Sequence, residues 1–199
     1  MIDFKIQHPE KEYIMPNIDL LSMHKQFLNN HIKKGGIVAD FTMGNGHDTL
    51  WLCSLVKNGF VYAFDVQEQA VNNTRERLTG EGYSNFQLIH DGHQNCEKYI
   101  DREIDAGMFN LGWLPGGDKS IHTLRESTLP AVFSAIKLLR KGGLITINVY
   151  PGHSEGKCEG ELLMEELSKL SKFEYCVFVF RLVNSPEAPF IIGIEKYNK

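Results

Sequence analysis

The stretch Ile37-Val38-Ala39-Asp40-Phe41-Thr42-Met43-Gly44-Asn45-Gly46-His47-Asp48-Thr49 passes from a short apolar run through a glycine turn into a segment with Leu50, Trp51 and Leu55 on helical spacing. Strand, glycine turn and helix is the local architecture that receives nucleotide-like ligands. Glycine lets the ligand approach the backbone, and the start of the helix offers unpaired N–H groups. A dinucleotide fingerprint wants a third glycine where Thr49 stands, so the loop argues against a nicotinamide oxidoreductase.

Outward from this turn, β-branched or aromatic runs alternate with amphipathic stretches, the pattern of a parallel sheet covered on both faces by helices. Strands are expected at 37–41, 61–65, 86–90, 106–110 and 144–150. Helices are expected at 18–32, 47–57, 68–78, from Pro130 in a first turn to Leu139, and at 159–170, with a short helical piece at 96–100. The end departs from the alternation: 174–183 and 189–196 are strand-like runs separated by about five residues, too few for a helical crossover, so they should pair antiparallel. The expected architecture is α/β: a seven-stranded, mostly parallel sheet closed by a C-terminal antiparallel hairpin.

The chain has 199 residues, 42% of them hydrophobic, which fits one core. Residues 1–17 are polar with Pro9 and Pro16 and read as an N-terminal arm; 18–199 read as a single domain. A net charge of −4 argues against coating nucleic acid by bulk electrostatics, so any polyanion has to meet a local basic patch. Cys53, Cys96, Cys158 and Cys176 stand far apart, without zinc or disulfide spacing, and suit a reducing, cytoplasmic setting. No apolar run approaches the ~20 residues of a membrane span.

Asp40, Asp65 and Asp91 each stand at the end of an expected strand, so all three face the crevice where open α/β sheets bind ligands. Asp65 follows Gly46 by nineteen residues, near the spacing at which a carboxylate reaches ribose hydroxyls. Such acids suit a ligand with an adenosine and a positive charge. His90 and His93 lack the further spacing of a metal site, and no metal is expected.

The loop 40–46 with Asp65 resembles motif I and the ribose acid of class I S-adenosylmethionine-dependent methyltransferases, a Rossmann-like fold. Thr42 to Thr49, Phe64-Asp65-Val66-Gln67, His90-Asp91-Gly92-His93, Asn110-Leu111-Gly112-Trp113-Leu114-Pro115-Gly116-Gly117-Asp118 and Tyr150-Pro151-Gly152-His153 together resemble one family within that class. Its members, long labelled rRNA methylases, are now understood as tRNA 5-(aminomethyl)-2-thiouridine methyltransferases. The resemblance spans about Ile18 to Lys196. It implies S-adenosylmethionine as cofactor, the anticodon stem-loop of tRNA as partner, and methylation of the wobble-base amine.

With strand-end position, the resemblance implies these roles. Asp40, Gly44 and Gly46 hold the methionine part, Asp65 the ribose, and Asp91, Gly92 and His93 the adenine edge; Thr42, Asn45, Asp48, Thr49, Gln67 and Asn110, which ends its strand beside the methyl, complete the cofactor set. Asn110 accepts N–H from the attacking amine and orients its lone pair. His153 either relays the amine proton or contacts phosphate. Trp113 either holds an unstacked base or packs on the core. Lys119, His122, Arg125 and Lys157 form the basic rim. An rRNA or small-molecule methyltransferase, or a non-catalytic RNA-binding module, stays open, as does a homodimer.

Overall fold

The structure is a computed structural model that describes residues 20–118 and 120–197. The expected arm and Lys119 therefore lie outside the described residues. Seven strands form one sheet in the order β3-β2-β1-β4-β5-β7-β6: β1 Ile37–Asp40, β2 Phe60–Asp65, β3 Phe86–His90, β4 Ile104–Asn110, β5 Leu139–Val149, β6 Tyr175–Phe180 and β7 Phe190–Lys196. The first five run parallel. The last two pair antiparallel, β7 beside β5 and β6 at the edge, as the short connection requires.

Helices α1 Met23–Asn29, α2 His47–Leu55 and α3 Glu68–Gly80 cover one face, and α4 Arg125–Leu138 and α5 Ser154–Leu167 the other. Each strand residue serves one layer. Val38 packs among Leu28, Leu52 and Leu78, and its neighbour Ala39 packs with Phe41, Ala131 and Ile136. A parallel sheet buried on both faces needs such unbroken apolar strands. The end of the sheet away from the glycine turn is locked by buried Asp105, which accepts from the Ile37 N–H at 2.9 Å and pairs with Arg140.

Several boundaries differ from expectation: α1 is Met23–Asn29 rather than 18–32, β4 begins at Ile104 rather than 106, and α4, β5 and α5 start early. α4 begins at Arg125, so Pro130 lies inside the helix rather than in its first turn. Pro130 is on the exposed side, where water can serve the carbonyl that the missing N–H would have engaged. β5 starts at Leu139, ahead of the glycine pair, with a register irregularity against β4 between Ile104 and Ala106. α5 starts at Ser154 because the His153 side chain caps it, Nδ1 accepting from the Gly156 N–H at 3.1 Å.

Gly46 is the N-cap of α2 with φ of +77°, and a Cβ there would lie 2.8 Å from the Thr74 side chain on α3. Both the left-handed backbone and the close approach require glycine. Gly46→Ala should cost about 2–4 kcal/mol from strain and overpacking. An unchanged thermal melt would refute this.

Candidate active site

The C-terminal ends of β1 to β5 open into a crevice of about 920 Å³, lined also by α1 and by the 111–124 segment. The glycine turn forms one wall. The Gly44 N–H donates to Asp65 Oδ2 at 3.1 Å, and the Gln67 N–H donates to Asp65 Oδ1 at 2.9 Å. Asp65 thus shapes the turn while lining the crevice, and burial raises its pKa against those two hydrogen bonds.

Asp40 is corrected. It is fully buried and does not line the crevice. Its Oδ2 accepts from the Thr49 hydroxyl at 2.7 Å and its Oδ1 from the Thr42 N–H at 3.2 Å, so it holds the loop from behind. Thr49 and Gly46 are likewise behind the wall, spent on Asp40 and on packing against Thr74. Burial first, and then the negative charge of Asp48, push the Asp40 carboxyl from 3.8 up to about 7.

A carboxyl whose folded pKa lies above its unfolded value gains a proton on folding. Its stabilisation is full below the unfolded value and is lost as pH rises through about 7. The stability of Asp40→Asn relative to the parent should therefore improve by roughly 2 kcal/mol between pH 5 and 8. Parallel melting curves against pH would refute it.

Asp91 lies at the crevice with its oxygens already engaged: Oδ1 accepts from the Gly92 N–H at 2.7 Å and from Asn95 at 2.9 Å, and Oδ2 from the Tyr99 hydroxyl at 2.8 Å. The Asn95 and Tyr99 bonds hold its carboxyl below the usual range. His93 is buried, with Nδ1 3.1 Å from the Phe41 carbonyl, and burial keeps it neutral. That bond requires the proton on Nδ1. Exposed His90 turns to the Val66 carbonyl at 2.9 Å. Among the described residues no group of three His, Cys, Asp or Glu could hold a metal. Asn45 braces the wall instead of standing free, donating to the Pro115 carbonyl at 3.1 Å and accepting from Asn73 at 2.9 Å.

The crevice floor is a polar ring. Asn110, ending β4, donates from Nδ2 to Asp48 Oδ2 at 2.8 Å, and its Oδ1 accepts from Asn148 Nδ2 at 2.6 Å. Its own N–H donates to the Thr42 hydroxyl at 2.6 Å. Lys25 Nζ pairs with Asp48 Oδ1 at 2.6 Å and lies over the Trp51 ring. Asp48 is therefore a hub rather than one loop residue among several. His24, Lys25 and Asn148 were missed by sequence reasoning. Asn148 had a findable signal, because it stands near the end of a strand as Asp40, Asp65 and Asn110 do; nothing in the helical stretch marks His24 or Lys25.

At the mouth, Trp113 is 40% exposed, its ring 5.0 Å from that of His153, and it bridges antiparallel to His122. Trp113 thus borders the crevice rather than the core. The neck of this segment is tied. The Gly112 N–H donates to the Thr123 hydroxyl at 2.9 Å, and that hydroxyl donates to Glu159 at 3.0 Å, a carboxylate buried on α5. His153 lines the crevice, with its Nδ1 engaged as the helix cap and its Nε2 buried with no hydrogen-bond partner among the described residues.

The described residues expected to form a basic rim are spread over the mouth and its surroundings. His122 lines the crevice, but Arg125 and Lys157 do not. Arg125 pairs with Glu126 at 3.5 Å and Glu155 at 3.8 Å. Lys25 is the one Lys or Arg lining the crevice among the described residues. Exposed Leu21, Val66, Ile121 and Leu124 join Trp113 in making the opening apolar.

A parallel sheet ending in this hairpin, with a glycine turn, an acidic second strand and an amide at the end of the fourth, defines a Rossmann-like S-adenosylmethionine-dependent methyltransferase. Residues 61–195 match the family described as "Putative rRNA methylase", and the chain belongs to that family. A chloroplastic tRNA (mnm(5)s(2)U34)-methyltransferase of Arabidopsis thaliana is 36% identical over 177 residues, covering 83% of the chain; the chain spans 65% of that relative's length. Ribosomal RNA small subunit methyltransferase H of Mycoplasmopsis agalactiae is 40% identical over 86 residues, 41% of this chain and 28% of that protein. A Clostridium thermocellum structure of the same family description superimposes with a TM-score of 0.87 at 40% identity, covering 90% of this chain and 98% of the other. A Streptococcus mutans protein solved in complex with SAH gives 0.83 at 38% identity, again over 90% and 98%.

Proposed function

We propose that this chain transfers the sulfonium methyl of S-adenosylmethionine to the primary amine of 5-aminomethyl-2-thiouridine at the tRNA wobble position, in the cytoplasm. The observation that carries the reading is the Asn110–Asp48 floor beneath an apolar, Trp113-edged mouth. Such a floor offers hydrogen-bond acceptors to an amine, and such a mouth suits an unstacked base better than a stretch of backbone phosphates. The relation to the Arabidopsis enzyme supports the same acceptor.

The residues present fit the cofactor. Asp65 lines the crevice where ribose hydroxyls can be engaged, and Gln67 lies beside it. Asp91, Gly92 and His93 form the side that takes the adenine. The Lys25–Asp48 pair matches the carboxylate and ammonium of an amino-acid end. When bound, the cofactor supplies an electrophilic methyl on a positively charged sulfur. Asn110 then holds the neutral amine by its remaining carbonyl lone pair, so that the nitrogen lone pair lies in line with that methyl. The methyl so supplied would leave S-adenosylhomocysteine behind, and the proton released from the methylated amine would pass to water.

The test is methyl transfer to tRNA carrying the aminomethyl group, read by nucleoside mass spectrometry. Methylation of that tRNA is expected, with an in-vitro transcript and ribosomal subunits left unmodified. Equal activity on the unmodified transcript would exclude this amine as acceptor.

A further inference from the structure

The polarity of the ring under Asn110 is set from two sides, by Asp48 and by Asn148. The Asp48 carboxylate can only accept, so the Asn110 amide must present its NH2 there, at 2.8 Å. Its carbonyl consequently faces β5, where Asn148 is its register partner and must supply a donor, at 2.6 Å. The same Asn148 NH2 lies 2.9 Å from His24 Nδ1, which leaves that nitrogen bare and the imidazole proton on Nε2, 3.7 Å from Asp48 Oδ2. His24 is 4% exposed and Asn148 1%, so water does not compete for these bonds. Four elements, α1, α2, β4 and β5, thus meet in one chain of hydrogen bonds of fixed direction, Asp48 to Asn110 to Asn148 to His24, whose two ends stand 3.7 Å apart.

We infer that Asn148, itself held by His24, is the positioning residue that fixes which end of the Asn110 amide meets the acceptor. This rests on the function proposed above and adds the residue that orients its catalytic amide. Among the described residues Asn148 Oδ1 has no hydrogen-bond partner, so the donor end of this amide is the end in use. Were that donor absent, the Asp48 bond alone would hold the amide, and an acceptor in the place of the Asn148 NH2 would draw the Asn110 NH2 toward β5 and turn its carbonyl away from the incoming amine. A buried side chain that merely fills space has no such dependence on donor or acceptor character.

Asn148→Asp conserves shape and removes the donor. On tRNA carrying the aminomethyl group at pH 8, kcat should fall about 30-fold or more, with the Kd for S-adenosylhomocysteine within about twofold of the parent. The ratio of variant to parental kcat should rise as pH is lowered, because the introduced carboxyl, once protonated, regains a donor; taking the ratio cancels the ionisation of the acceptor. A flat ratio, a retained kcat or a parallel loss of S-adenosylhomocysteine affinity would overturn the inference. His24→Leu is the second variant and decides if the first fails to melt cooperatively: kcat about fivefold lower at unchanged cofactor affinity is expected, and parental kcat overturns.

A readout free of turnover separates this inference from the function it rests on. In a 1H–15N spectrum, assigned by its loss in Asn110→Ala, the Asn110 side-chain amide should be slow to exchange in the parent and fast in Asn148→Asp or His24→Leu. Unchanged exchange in the variants overturns the positioning role even if the parent methylates no tRNA. Failure of the parent on this tRNA, with the exchange difference present, overturns only the acceptor.

Discussion

Asn110→Ala should lower turnover about 100-fold or more while the affinity for S-adenosylhomocysteine stays nearly intact, because holding the amine in line matters chiefly in the transition state. Removing the amide also strips Asp48 of one donor and Asn148 of one of its two acceptors in a partly buried setting. A melting temperature lowered by the equivalent of about 1–2 kcal/mol should accompany the kinetic loss. The two effects separate by measurement: stability is restored by bound S-adenosylhomocysteine and turnover is not. Loss of cofactor binding in step with turnover would move Asn110 from the acceptor to the cofactor side of the crevice.

The second large effect is expected at Asp65. Its carboxylate both lines the crevice and anchors the Gly44 and Gln67 N–H groups, so Asp65→Ala removes a ligand contact and unfastens the turn that forms the wall. S-adenosylmethionine should raise the melting temperature of the parent by mass action, and the rise should be almost abolished in the variant, corresponding to about 100-fold weaker binding. Asp65→Asn keeps one acceptor oxygen and should recover part of the rise. Stabilisation of the parent by NADH and not by S-adenosylmethionine would remove the cofactor assignment altogether.

The sheet was legible because its determinants are local and periodic. Each strand is a short apolar run, each crossover has helical spacing, and the five-residue link before Pro189 leaves only an antiparallel return. Helix starts were harder where the signal is a side-chain bond. His153 capping α5 and a helix tolerating exposed Pro130 both turn on three-dimensional surroundings. In the site, position at strand ends correctly brought Asp65, Asp91 and Asn110 to the crevice. It could not tell a residue facing the ligand from one facing the loop, and so misplaced Asp40, whose two oxygens are spent behind the turn. Lys25 and His24 come from a helix about twenty residues upstream, and their meeting with Asp48 is a product of packing.

The tied neck between Gly112 and Thr123 means that the intervening segment leaves and re-enters the fold at one point, secured to Glu159. A segment closed at its base can change length or composition without transmitting strain to the sheet. Among descendants of such a frame, what the mouth admits is then a separately heritable trait: the excursion that carries Trp113 and His122 can diversify while the floor is left as it was.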